Sequence, residues 1–356
     1  MIGNPSALRR LLGRREFSVL LATILVIAVA TIINPNFVFS SDGFRNLLLT
    51  PSLLVLLAVA EAIVLVTKNV DLSVSATLGL TAYATGRMFT DWTGVPAIVV
   101  MLLGVLLGLG LGVVNGVLVS VAKVPALVIT LGTLYVFRGI DIAWAGANRI
   151  NAADLPASFK ALGTGELVGI PWITIIAVIV VAVVAYLLGC TRPGRELYAI
   201  GSNEEAAKLY GLRVGRRVFA AFVASGTLAG LAGVLYAARY ATVASNAGTG
   251  LEMQAIAAAV IGGVAIFGGQ GTVVGAAIGA VLLTMIDRAL PSIGIQDFWQ
   301  QAVVGALIIG AIVLDRLLAR RTRRRLARAR DADGISSPPT IAIPAVSAGA
   351  MKGGRA

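Results

Sequence analysis

Long apolar runs broken by short polar ones constrain this chain more than any other feature. Residues 17–33 and 173–188 hold no charged side chain, and 53–66 hold one. A helix needs about 20 such residues to cross a hydrocarbon layer roughly 30 Å thick. The runs are continuous, whereas barrel strands alternate lipid-facing and lumen-facing residues, and a helix satisfies its own backbone polar groups inside lipid. Apolar residues make up 58% of the 356 positions and charged residues 13%, against about a quarter charged in soluble domains. Ten helices of about 20 residues would absorb nearly the whole apolar complement. The expected fold class is all-α: a polytopic transmembrane helix bundle of about ten spans.

The runs place these spans at 17–34, 48–67, 72–89, 96–122, 125–144, 170–189, 217–237, 252–267, 272–287 and 299–317. Polar or glycine-rich interruptions within 48–89 and 252–287 mark broken or re-entrant helices. Basic residues fix the orientation through the positive-inside rule. Arg9, Arg10, Arg14 and Arg15 precede the first span, and the connection of about 190–216 holds Arg192, Arg195, Lys208, Arg213 and Arg216. Eight arginines lie between Arg316 and Arg330, whereas the opposite loops hold Arg45, Arg149, Lys160, Arg239 and Arg288. An even number of spans with both termini cytoplasmic fits this pattern. The first run is longer than a signal-peptide core, so it reads as an uncleaved span following a basic N-terminus of residues 1–16. The transmembrane domain covers 17–317, a basic juxtamembrane segment 318–330, and a Pro/Ser/Ala/Gly-rich tail, read as disordered, 331–356.

Cys190 is the single cysteine and there is no histidine. Internal disulfides, His- or Cys-based metal sites and Ser-His or Cys-His catalysis are thereby excluded. No GxxxxGK[ST] phosphate loop is present, so the chain has no Walker-type nucleotide site of its own. The net charge of +12 is explained by membrane-flanking arginines and anionic lipid rather than by nucleic acid. Glycines recur every four residues at Gly104, Gly108, Gly112 and Gly116, at Gly226 and Gly230, and at Gly271, Gly275 and Gly279. That spacing puts them on one helix face, where backbones approach closely in lipid.

Ionisable residues within spans are costly, roughly 2.5–3.5 kcal/mol each on insertion scales, and so mark functional candidates. Glu61 lies mid-run, Lys68 and Asp71 flank the break before the third span, Arg138 and Asp141 sit three apart on the fifth, and Glu252 opens the eighth. They either line a solute path or moving joint, or serve structure alone; Arg138 and Asp141 suit a structural pair on one helical face. Ser73, Asn115, Thr130 and Thr133 lie in or near spans and offer hydrogen bonds to a polar solute, or else to their own backbones.

The connection after the sixth span holds one more element. Asn203 is a good N-cap, Glu204 and Glu205 complement the first-turn dipole, and Gly211 is a natural stop. The helix between them has about two turns, too short to stand alone in water, and it presents Leu209 and Tyr210 among charges.

Glu205-Ala206-Ala207 followed by three residues and Gly211 resembles the EAA-x3-G loop of ABC importer permeases. Asn69-Val70-Asp71-Leu72-Ser73-Val74-Ser75, Val124-Pro125-Ala126-Leu127 through Thr133, Gly194-Arg195-Glu196-Leu197 through Gly201, Asn246 through Glu252, Val260-Ile261-Gly262-Gly263 and Phe298-Trp299-Gln300 are similar to the branch carrying ribose, rhamnose and autoinducer-2. The resemblance spans about residues 50–317. It departs at Asn69 and Ser75, where the branch commonly has glycine nearby.

The resemblance implies a non-enzymatic, multi-pass subunit of the bacterial inner membrane that imports a sugar-like solute. The 203–211 segment would be the coupling helix that docks on a separate ATPase, which binds the ATP and magnesium. A second permease subunit, identical or paralogous, and a periplasmic or lipid-anchored solute-binding protein would complete the complex. Glu61, Asn69, Asp71, Ser73, Asn115, Thr130, Thr133 and Glu252 are the candidates for the translocation path. The segments 124–145 and 246–257 favour rhamnose-like or autoinducer-2-like solutes over a pentose. The alternative is a self-sufficient secondary transporter or channel, which would need its own coupling-ion site and no docking helix.

Overall fold

The computed structural model describes residues 15–292, apart from 93 and 123, and isolated positions between 294 and 310. These belong to one compact unit. Helices are α1 (Arg15–Ile33), α2 (Asn36–Phe39), α3 (Ser41–Leu65), α4 (Val74–Asp91), α5 (Ala97–Ala122), α6 (Ala126–Ala145), α7 (Ala157–Thr164), α8 (Trp172–Cys190), α9 (Arg192–Ser202), α10 (Glu204–Leu209), α11 (Val214–Tyr240), α12 (Leu251–Ile261) and α13 (Val273–Ser292). Among the described residues the sole sheet is a hairpin, β1 (Glu166–Leu167) against β2 (Ile170–Pro171).

Among the described residues, seven helices are long and apolar enough to cross a membrane: α1, α3, α5, α6, α8, α11 and α13. They match seven of the ten expected runs to within several residues. The expected third run is α4, a helix of 18 residues whose Ser75, Thr77, Thr81 and Thr85 make it more polar than the others. Thr81 and Thr85 each donate to the carbonyl four residues back, at 2.7 Å, which satisfies the hydroxyls within the helix. The expected eighth run stops at Ile261 after 11 residues, or about 16 Å, half the apolar layer. The segment 262–272 that follows is irregular, so the interruptions anticipated in 48–89 and 252–287 are both present. The expected tenth run, 299–317, and the terminal segments 1–14 and 318–356 lie outside the described residues, save isolated positions.

α3 is the axis of the bundle, with every residue from Pro51 through Thr67 buried. It is enclosed by α11, α13, α12 and α8, and α11 packs in turn against α5 and α4. The glycine spacing explains the α5–α11 seam. A Cβ on Gly108 would lie 2.4 Å from Gly230 Cα, and one on Gly112 3.0 Å from Gly226 Cα. α12 and α13 meet the same way, a Cβ on Gly279 falling 2.0 Å from the Ala258 carbonyl. The outer helices show apolar side chains on their free faces, including Leu21 and Leu25 on α1, Leu102 and Leu106 on α5, and Val178, Ile179 and Val183 on α8. Such a belt is sustained by lipid rather than water.

Candidate functional site

Two helix interruptions meet at one end of the bundle. α3 ends at Leu65 with Lys68 at φ 66°, and its chain resumes as α4 only at Val74. The second interruption, 262–272, returns to the first: Gly269 N donates to Val66 O at 2.9 Å. α9 closes the group, since Tyr198 Oη donates to Gly271 O at 3.0 Å. A Cβ on Gly201 would lie 1.8 Å from Val66 O and 2.6 Å from Gly269 N. Three backbone segments thus touch without side chains between them.

A polar knot sits on the first interruption. Glu61 Oε1 accepts from Asp71 N at 3.2 Å. Asp71 Oδ1 accepts from Ser73 N at 3.0 Å and from Ser73 Oγ at 2.6 Å, and Oδ2 accepts from Ser225 Oγ of α11 at 2.9 Å. Asn115 Nδ2 of α5 donates to Ser73 Oγ at 2.6 Å, and Thr130 Oγ1 of α6 donates to Val70 O at 3.1 Å. Glu61, Asp71, Ser73, Asn115, Thr130 and Ser225 are all buried. The knot therefore ties α3, α4, α5, α6 and α11 together around a bend that the backbone alone leaves unsatisfied. Thr133 donates to Thr130 O, and Asn69 donates to Thr67 O and Oγ1, so both lie beside the knot. Glu252 is elsewhere, its Oε2 accepting from Gly250 N at 3.1 Å at the start of α12.

The arginine-rich connection forms two helices where sequence indicated one. α9 starts at a Thr191 cap accepting from Gly194 N, with Pro193 in its first turn. Glu196 binds Arg192 and Arg217, and the hydrogen bond from Arg217 is the main cause that holds its carboxyl below the usual carboxylate range. The second helix, α10, is the expected docking element. Asn203 Oδ1 accepts from Ala206 N at 2.9 Å, Glu204 pairs with Lys208 at 2.6 Å, and Gly211 turns the chain at φ 79°. Ala207 is buried with Ile200, Val218 and Phe222, anchoring α10 on α9 and α11. Leu209 and Tyr210 are 89% and 88% exposed.

The opposite end holds a cleft of about 730 Å³ that sequence reading missed. Its walls include Asn46, Thr50, Tyr236, Arg239, Asn246 and Gln254, and Leu53 and Leu54 of α3 also line it. Tyr236 and Tyr240 pack ring to ring at 4.5 Å. Arg239 donates to Leu49 O and Thr50 O, and Thr174 donates to Leu48 O. These bonds surround Pro51, a residue that interrupts the α3 ladder. Arg288 donates to Phe37 O and Gly43 O and lies 4.5 Å from the Phe37 ring centroid. Arg138 holds the rim: its Nη1 donates to Ala247 O at 2.7 Å and Ser245 O at 3.2 Å, and lies 3.9 Å from buried Asp141. None of the eight expected path residues lines the cleft. The 246–252 motif does, through Asn246, Ala247, Gly248, Thr249 and Leu251.

A membrane-crossing bundle with interrupted central helices, a polar cleft at one end and an exposed short helix at the other defines a multi-pass membrane permease. The chain belongs to the family of the branched-chain amino acid transport system / permease component, which matches residues 43–312. Autoinducer 2 import system permease protein LsrC of Escherichia coli (strain K12 / DH10B) is 35% identical over 329 residues, covering 92% of this chain and 95% of the relative. The protein of that name from Enterobacter sp. (strain 638) is 37% identical over 302 residues, 85% of this chain and 87% of the relative. That of Yersinia pseudotuberculosis serotype O:1b (strain IP 31758) is 36% identical over 297 residues, 83% of each. No solved structure matches the chain. The chain is the permease subunit of an ABC importer, in agreement with the EAA-x3-G resemblance, and the secondary-transporter reading falls away.

Proposed function

We propose that this subunit carries a sugar-like solute inward by alternating access, with autoinducer-2-like and rhamnose-like solutes ahead of pentoses. The observation that carries the reading is the cleft, which lies at the far end of the bundle from the exposed docking helix. Amides, hydroxyls, guanidinium groups and two tyrosine rings line it, the mixture that binds a small polyol through convergent hydrogen bonds and an apolar ring face. The names of the three relatives favour autoinducer-2 within that class.

In this reading the chain crosses the bacterial inner membrane ten times, with α4, α12 and the 299–317 run added to the seven apolar helices, and both ends are cytoplasmic. A binding protein delivers solute to the cleft. A separate ATPase subunit, which holds the ATP and magnesium, engages Leu209 and Tyr210. This chain itself needs no cofactor, and it pairs with a second permease subunit, identical or paralogous. Asn203, Glu204, Glu205, Ala206, Ala207 and Gly211 shape the docking helix. Movement of α10 passes through α9 to Gly201, and so to Val66 and Gly269 at the two interruptions. Glu61, Asn69, Asp71, Ser73, Asn115, Thr130 and Thr133 then form the joint below the cleft, and Glu252 sits near its rim.

The test is purification of the tagged chain in mild detergent, with uptake by reconstituted vesicles. Co-purification of an ATPase and a binding protein is expected, with loss of ATP-dependent uptake in Glu205→Ala and Gly211→Asp at unchanged membrane level. Solute accumulation by vesicles holding the purified chain alone, with no ATPase, would refute the reading.

A further inference from the structure

A second cavity, of about 390 Å³, opens at the arginine-rich end between α9 and the start of α11. Arg192, Arg213, Arg216 and Arg217 line it with one carboxylate, Glu196. Glu196 accepts from the Nε atoms of Arg192 and Arg217, which fixes both guanidinium groups and leaves their other N–H groups for a ligand. Arg213 and Arg216 make no side-chain hydrogen bond or ion pair among the described residues. No side chain caps the first turn of α11, whose N-terminal residues belong to this wall. Four guanidinium groups against one carboxylate, beside the positive end of a long helix, suit a phosphate.

A third cavity, of about 450 Å³, adjoins this one and shares Pro193 and Arg217 with it. Its walls are otherwise almost wholly apolar: Leu187 and Leu188 of α8, Leu197 of α9, and Ala220, Ala224 and Leu228 of α11. It runs along two membrane-crossing helices beside the outward apolar face of α8, where Val183 and Leu187 are exposed. α8 ends at Cys190, which puts the arginine cavity at the edge of the hydrocarbon layer and the apolar one inside it.

We propose that the two cavities form one site for an anionic phospholipid, with the headgroup phosphate among the arginines and an acyl chain in the groove between α8 and α11. The pairing of charge with depth selects this occupant. A free anion has no use for the apolar groove, an acidic protein segment has none at membrane depth, and a zwitterionic lipid adds a cation to a crowded cationic pocket. Gly211, which ends the docking helix, lines the headgroup cavity, so the bound phosphate would brace the far side of α10. The site stands whether or not the proposed solute is right.

The test is native mass spectrometry of the full-length chain, purified with its accompanying subunits from membranes containing phosphatidylglycerol. The wild type should retain phosphatidylglycerol in preference to phosphatidylcholine. Arg213→Gln/Arg216→Gln removes two charge-assisted contacts, so retention should fall roughly tenfold. Arg87→Gln/Arg149→Gln, the same loss of charge at exposed positions toward the cleft end of the bundle, should leave it unchanged. Ala220→Phe fills the groove at an exposed position and keeps every arginine; it should also release the lipid, and it keeps the idea testable if the double variant misfolds. Equal retention in the two arginine pairs would reduce the effect to bulk charge and overturn the proposal. Unchanged retention in Ala220→Phe, with inorganic phosphate stabilising the protein as well as phosphatidylglycerol in nanodiscs, would make this a free-anion site and overturn it too. A wild-type chain that retains no phosphatidylglycerol has no such site.

Discussion

Replacing Gly201 with alanine tests the route by which the proposed docking segment reaches the membrane interior. The added Cβ would stand 1.8 Å from Val66 O, where ordinary contact begins at 3.4 Å, so α9 or the end of α3 must retreat by about 1.6 Å. Both obstructing atoms, Val66 O and Gly269 N, are backbone, so no side chain can rotate away. They are also the two partners of the 2.9 Å hydrogen bond joining the interruptions. Overpacking costs about 1–3 kcal/mol and a weakened hydrogen bond about 1 kcal/mol, so a loss of roughly 2–4 kcal/mol is expected. The assay pairs thermal unfolding in detergent with ATP-driven uptake and with recovery of the ATPase on a tagged permease. The midpoint should fall and uptake should collapse while the ATPase still co-purifies, because α10 itself is untouched. Gly189→Ala, at a glycine with open space around it, is the control and should be neutral. A Gly201→Ala protein with normal stability and normal uptake would refute the reasoning, since the three segments would then not be in contact.

Ser225→Ala removes the hydroxyl that donates to Asp71 Oδ2 and should cost about 1–3 kcal/mol, the usual penalty for a buried acceptor left without its partner; an unchanged unfolding midpoint would count against the polar knot. Gly108→Leu drives a side chain into Gly230 and should abolish accumulation in the membrane, whereas Gly110→Leu, facing open space, should accumulate normally. Glu196 has its carboxyl depressed by Arg217 and Arg192, so its stabilising contribution is complete above the ordinary glutamate value of about 4.3 and is lost as pH falls through the lower folded value. The stability difference between wild type and Glu196→Gln should therefore shrink on acidification below that range; a difference that grows in acid would contradict the assignment.

The parts of the fold carried by local composition were legible in the sequence. Seven apolar runs became seven helices because a 30 Å layer demands that length of apolar side chain wherever it is crossed. The glycine ladders became the α5–α11 and α12–α13 seams because a spacing of four fixes a helix face. Asn203 capped α10 because an amide oxygen there meets the first free N–H groups whatever surrounds it. Ser225 escaped notice, since one serine beside Gly226 on an apolar helix has no pattern to mark it. The cleft was equally hidden, because Asn46, Tyr236, Asn246 and Gln254 come from separate segments and converge only through packing. α9 had a readable start in Thr191 with Pro193 in the first turn, but Thr-Arg-Pro-Gly also reads as a turn. α4 shows tertiary enclosure overriding hydropathy, since a helix buried from Val74 through Gly86 can hold threonines that lipid would disfavour.

The enclosure of α3 has a consequence for how the protein is made. Its last residue is Leu65 and the main covering helix, α11, starts at Val214, so about 150 residues separate their emergence from the ribosome, or roughly 7–30 s of synthesis. During that interval the future axis has neither its seam with α11 nor the Ser225 hydroxyl. Glu61 must be carried by neighbouring leucines and valines whose transfer energies offset a cost of roughly 2.5–3.5 kcal/mol. The density of leucine and valine around Glu61 thus serves biogenesis before it serves packing, and it sets how many polar substitutions α3 tolerates before the nascent helix fails to enter the bilayer.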